Sequence, residues 1–153
     1  MELKETIRRL KLTLRQLKKA KPENFNMGTW MEKGEHCNTV ACAAGHATQN
    51  RTLRKLGLKL VKGNNCYRES NCYYPTYKSH WGWEALIVFY GLDRTDIFYL
   101  FDKEKYQKRE GQCSPYKRVT LPEVIERFET FIREKEKEYE TGKSHSLDQA
   151  TQT

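Results

Sequence analysis

The feature that most constrains the fold of this chain is a run of small side chains, Ala41-Cys42-Ala43-Ala44-Gly45-His46-Ala47. A helix made of such residues is thin, so its neighbours must come close to its backbone to bury it. Gly45 sharpens the demand. A helical glycine costs about 0.5–1 kcal/mol relative to alanine unless something packs tightly over it. The run predicts a helix over about residues 39–50, with Thr39 as N-cap, its hydroxyl accepting a free backbone N–H. The rest of the chain must supply the elements that cover it.

Those elements are legible as helices. Leu3, Ile7, Leu10, Leu14 and Leu17 recur at steps of four and three, predicting a helix over about residues 2–20 that Pro22 stops. The stripe is too short for a free-standing coiled coil and reads as core. Residues 22–36 read as a loop anchored by Phe25, Met27 and Trp30, with a polar turn at its end. Weak alternation before the turn residues Gly63-Asn64-Asn65, and a tyrosine-rich stretch after them, predict a two-stranded hairpin around residues 57–78. The stretch from Trp81 to Tyr90 is apolar nearly all round and reads as a buried helix ended by Gly91. Asp93 or Thr95 caps a short helix to Phe101, followed by a charged linker to residue 118. Thr120-Leu121-Pro122-Glu123 opens a last helix with a cap, an early proline and a glutamate at the third position. The expected fold is mainly α, about five helices in a single domain over residues 1–140. The hairpin is a small β addition that would make it α+β. Residues 141–153, rich in Ser, Thr and Gln, read as a disordered tail. The expected core includes Leu3, Ile7, Leu10, Val40, Ala44, Leu86, Phe89, Leu100, Val124 and Phe128, with Trp81 and Trp83 also filling it.

Three blocks carry a resemblance. Phe25-Asn26-Met27-Gly28-Thr29-Trp30 and Cys37-Asn38-Thr39-Val40-Ala41-Cys42-Ala43-Ala44-Gly45-His46-Ala47 resemble an uncharacterised family of small bacterial and phage proteins. Its pattern is roughly F-D-M-x-T-W, a short gap, then C-G-T-x-x-C-x-x-G-[HW]-A. The segments Gly82-Trp83-Glu84-Ala85-Leu86, Phe89-Tyr90-Gly91-Leu92 and Leu100-Phe101 are similar to its second block, and the Thr120-led helix to its last. Asn38 stands where the family usually has Gly. The resemblance spans most of residues 1–140. It implies a cellular setting and a fold, and no activity, cofactor or site residue.

The formal net charge is +8, and it is unevenly placed. Residues 1–21 hold eight Lys/Arg against two Glu, whereas residues 119–153 hold five against eight acids. A basic surface suits an anionic partner: nucleic acid, a nucleotide or an acidic protein. The competing expectation is that the basic first helix simply lies beside the acidic last one. The candidate partner-binding residues are Arg8, Arg9, Lys11, Arg15 and Lys18 on the first helix, and Arg51, Arg54 and Lys55 after the second. Tyr73, Tyr74 and Tyr77 join them, because aromatic rings interleaved with cations can stack bases beside held phosphates. No apolar run approaches the roughly 20 residues a membrane helix needs. The charged N-terminus has no secretory h-region. The expectation is therefore a cytoplasmic protein with no membrane attachment.

The five cysteines are odd in number, and cytoplasmic thiols stay reduced. Cys42 and His46, four apart on one helix side, could join Cys37 in three-quarters of a zinc site, with Cys66, Cys72 or Cys113 as the fourth ligand. The C-x4-C spacing is loose for such a site, and the favoured expectation is that Cys42 is a small buried hydrophobe and His46 caps or hydrogen-bonds within the core. A thiolate at a helix start beside a histidine, Cys37 with His36 or His46, is the nucleophile alternative. No phosphate loop, H-E-x-x-H or G-x-S-x-G motif is present. The leading expectation is thus a binding or accessory protein without a cofactor, leaning away from an enzyme. A zinc- or thiol-based protein is the alternative.

Overall fold

A computed structural model describes residues 1–33, 39–62, 73–107 and 118–150. The N-terminal stripe forms α1 (Leu3–Leu17). Ile7, Leu10 and Leu17 are buried in the core, with Leu3 and Leu14 packed at its edge. A 3-10 turn at Pro22–Asn24 follows. A short antiparallel ribbon comes next, β1 (Met31–Lys33) paired with β2 (Thr39–Ala41). The small-residue run is α2 (Ala43–Gln49), and α3 (Arg51–Lys55) continues from it after a break at Asn50. A second sheet holds β3 (Lys59–Lys62), β4 (Tyr73–Tyr77) and β5 (His80–Trp81) in that order, all antiparallel. Then come α4 (Gly82–Tyr90), α5 (Arg94–Phe101), α6 (Lys103–Gln107) and α7 (Leu121–Ala150). The chain is mainly α with a small β element. Among the described residues no helix is long and apolar enough to cross a membrane.

The helix around the small-residue run starts later than the sequence suggests. Residues 39–41 are strand, and the N-cap position is Cys42, without a side-chain cap bond, rather than Thr39. Strand alternation then explains Val40, expected in the core but only half-buried: its neighbour Ala41 points inward instead. The helix also ends early. The Asn50 side chain accepts N–H bonds from Thr52 and Leu53 at 3.0 and 3.2 Å and so opens α3. This five-residue helix and α6 raise the helices among the described residues to seven. The expected hairpin is β3 with β4, and β5 adds a third strand. Trp81 lies on β5 and is 58% exposed, so it does not fill the core. Backbone helix continues to Ala150, past residue 140 where the folded part was expected to end.

Around α2, the covering is close. A strap of residues 25–31 runs along the start of the helix. Asn26 N–H donates to the Ala41 carbonyl at 3.1 Å, and Cys42 N–H to the Thr29 carbonyl at 2.9 Å. A Cβ on Gly45 would fall inside the Trp30 carbonyl and 2.8 Å from Ala41 Cβ. The two blocks of the first motif are therefore in contact with each other, and Gly45 makes that contact possible.

On the other side, α1 closes the end of α4 with polar groups. Thr6 Oγ1 donates to the Tyr90 carbonyl at 2.7 Å, and the Arg9 guanidinium donates to the Phe89 carbonyl while stacking on the Phe89 ring. Thr13 donates to the Arg9 carbonyl at 3.1 Å, so the Tyr90 hydroxyl donates to Thr13 at 2.6 Å. The unsatisfied carbonyls at a helix C-terminus thus meet donors and a positive charge. Thr120 and Glu123 form the expected capping box on α7, with Thr120 N–H donating to Glu123 Oε2 at 2.9 Å. Arg127 ties α7 to the carbonyls of Tyr99 and Lys105 at 2.8 and 3.1 Å.

Gly45→Ala should destabilise the protein by about 1–3 kcal/mol or more, because the obstructing atom is backbone and cannot rotate away. Phe128→Ala, at a fully buried site, should cost about 3–5 kcal/mol. Urea melts check both, and a Gly45→Ala cost under about 0.5 kcal/mol would contradict the close approach.

Candidate anion-binding site

The two basic clusters meet different fates. On α1, Arg9 is not on the polar face at all. It is buried, bonded to Glu5 at 2.8 Å and to the Phe89 carbonyl. Its place on the expected binding surface is corrected by the second buried face of α1, which the Leu stripe does not reveal. Arg8 pairs with Glu5 at 2.7 Å. Those two arginines hold the Glu5 carboxyl down to about 2, chiefly through the Arg8 hydrogen bonds. Lys11 and Lys18 reach Glu136 and Glu129 of α7, each at 2.5 Å. Arg15 alone of the five has no ion pair among the described residues. The acidic last helix thus meets two of the five, Lys11 and Lys18, in the way the competing expectation had it, whereas Arg8 and Arg9 pair within α1. Such exposed pairs are each worth about 0–1 kcal/mol.

The second cluster is different. Arg51, Arg54 and Lys55 of α3 join Lys59 at the start of β3 along one groove of about 900 Å³. Thr48, Gln49, Met31, Leu60 and Tyr73 complete its described lining. All four cations are exposed, and none has an ion pair among the described residues. No acidic side chain is among the described lining residues. The break at Asn50 produces the arrangement: it turns α3 so that Arg51, Arg54 and Lys55 project beside the β3 strand. Lys59 is the residue that sequence reading missed. Its signal was present as a cation two residues past the turn glycine Gly57, but its side of the hairpin depends on register.

The three tyrosines separate. Tyr73 lines the groove. Tyr74 lines a second cleft, of about 330 Å³, which Tyr73 also borders. Tyr77 packs edge-on against Phe89, ring centroids 5.1 Å apart, and serves the core.

Of the cysteine–histidine cluster, Cys37 lies outside the described residues, as do His36, Cys66, Cys72 and Cys113. Cys42 is buried with its thiol directed to the Trp30 carbonyl at 3.7 Å. Burial pushes that thiol up to about 11, leaving it protonated at neutral pH. His46 stacks on Phe25, centroids 6.0 Å apart. Its Nε2 lies 3.2 Å from the Asn24 carbonyl, which can only accept, so Nε2 carries the proton. Nδ1 is buried with no partner among the described residues. Among those residues no three His, Cys, Asp or Glu side chains gather in a group able to hold a metal ion.

In comparisons with known proteins, no family model, curated protein or solved structure matches the chain.

Burial lowers the pKa of His46, partly offset by the Asn24 carbonyl. In the unfolded chain the imidazole therefore binds protons more readily. This contribution to stability is complete above the unfolded value of about 6.5 and is lost as pH falls through the lower folded value. Thermal melts at pH 7.5 and 5.5 should show a loss at the acid end that His46→Asn reduces. An unchanged pH dependence would contradict the assignment.

Proposed function

We propose that this chain is a small, non-enzymatic binding or accessory protein that holds an anionic partner in the Arg51–Arg54–Lys55–Lys59 groove. One observation carries the reading: four exposed cations converge on one concavity whose described lining holds no acid. Like charges drawn together without counter-charges repel, and a bound anion relieves that repulsion. Guanidinium forks suit phosphate in particular. Nucleic acid or a nucleotide is therefore the partner favoured here, over an acidic protein surface. A cytoplasmic setting of bacterial or phage type belongs to the same proposal, supported by the motif resemblance in residues 25–30 and 37–47.

Anisotropy of a short labelled single-stranded oligonucleotide tests it. Four phosphate contacts give a log–log salt slope of about −3, or about fiftyfold weaker binding at 200 mM than at 50 mM salt. The triple change Arg51→Gln, Arg54→Gln and Lys59→Gln should remove most of the affinity, each exposed substitution costing under about 0.5 kcal/mol of stability. Lys11→Gln with Lys18→Gln should leave binding unchanged. Absence of binding at 50 mM salt refutes the phosphate reading, and loss confined to the α1 pair moves the site to α1.

A further inference from the structure

The groove does not end at its cations. Tyr73 and Met31 line both it and the neighbouring 330 Å³ cleft, so the two concavities share a wall. The second cleft is aromatic where the first is cationic. Trp30, Trp83 and Tyr74 border it, each half-buried. Trp30 and Trp83 brace one another edge to face, centroids 4.6 Å apart, and Phe98 meets Trp83 in a second edge-to-face contact at 4.8 Å. Rings held by other rings lose little entropy when a planar ligand stacks on them. At the rim stand Asp102 and Lys103. One Asp102 oxygen accepts the Glu104 N–H at 3.0 Å. An acceptor and a donor at the edge of an aromatic slot suit the hydrogen-bonding edge of a base.

We infer that the two concavities form one composite site for a nucleobase carried on phosphate, the base in the Trp30–Trp83–Tyr74 cleft and the phosphates in the cationic groove. The inference rests on the proposed anion-binding role of the groove and adds to it the chemical class of the ligand. Tyr73, at the shared wall, lies where the sugar would pass. A free nucleotide and an unpaired nucleotide of a strand present the same chemistry, and the test separates them.

The full chain is titrated at 50 mM salt with an oligothymidylate, an abasic oligomer of equal length, and a nucleoside triphosphate, following anisotropy and tryptophan fluorescence. The base-bearing oligomer should bind about five- to hundredfold more tightly than the abasic one, and should quench the tryptophans where the abasic one does not. Tyr74→Val keeps a strand-forming residue opposite Val61 and should shrink that gap to under about twofold. Should this variant misfold, quenching in the native protein still decides. Equal affinity for the two oligomers with no quenching overturns the base cleft and leaves the phosphate groove standing. No binding of either oligomer or of the triphosphate overturns both readings. Saturable quenching by the triphosphate at matched phosphate count supports the composite site with a free nucleotide as its source. Quenching by the oligomer alone supports it with a strand.

Discussion

The structure depends on the absence of a side chain at Gly45. Without a Cβ there, the backbone of Trp30 lies directly on α2, and the strap of residues 25–31 closes over the start of that helix. Two consequences follow from this single approach. The thin helix is buried on this side by backbone and by Phe25, Met27 and Met31, all of them core residues. The strap also presents Trp30 and Met31 at the edge of α2, where they border the candidate site. Packing and site are thus coupled through one glycine.

Helix α1, which also packs on α2, buries two faces rather than one. Its apolar stripe meets α7 and α2, while Thr6, Arg9 and Thr13 close the C-terminus of α4. Buried polar groups are costly unless bonded, and here each finds a carbonyl or hydroxyl of Phe89 or Tyr90. Arg9 shows how far local charge is from surface charge. By sequence it is one of a row of cations. By position it is an internal brace whose guanidinium satisfies a helix end.

The electrostatic pattern follows the same division. Lys11 and Lys18 of α1 meet Glu136 and Glu129 across the α1–α7 pair, because the two helices lie side by side, while Arg8 and Arg9 are neutralised by Glu5 of their own helix. The cations of α3 and β3 have no such neighbour among the described residues and remain a concentrated positive field. Net charge alone cannot distinguish these cases, since a charge is available to a partner only where the fold leaves it unpaired.

Periodicity and capping chemistry in the sequence determined the helices α1, α4, α5 and α7, the stop at Gly91, the capping box at Thr120 and Glu123, and most of the core. These are local properties, set by residues three or four apart, so the chain carries them wherever it folds. It also marked Arg51, Arg54, Lys55 and Tyr73 as candidates, by residue type. Tertiary structure decided the rest. The strand at residues 39–41 exists because a partner strand pairs with it. Val40 is only half-buried because of that pairing, and Trp81 is exposed because of the β4–β5 turn. Lys59 joins the arginines only through the break at Asn50 and the hairpin register. Arg9 is buried because α4 ends against it. Each of these outcomes depends on which distant segment lies alongside, and a one-residue change of register or a turn of helix would reverse it.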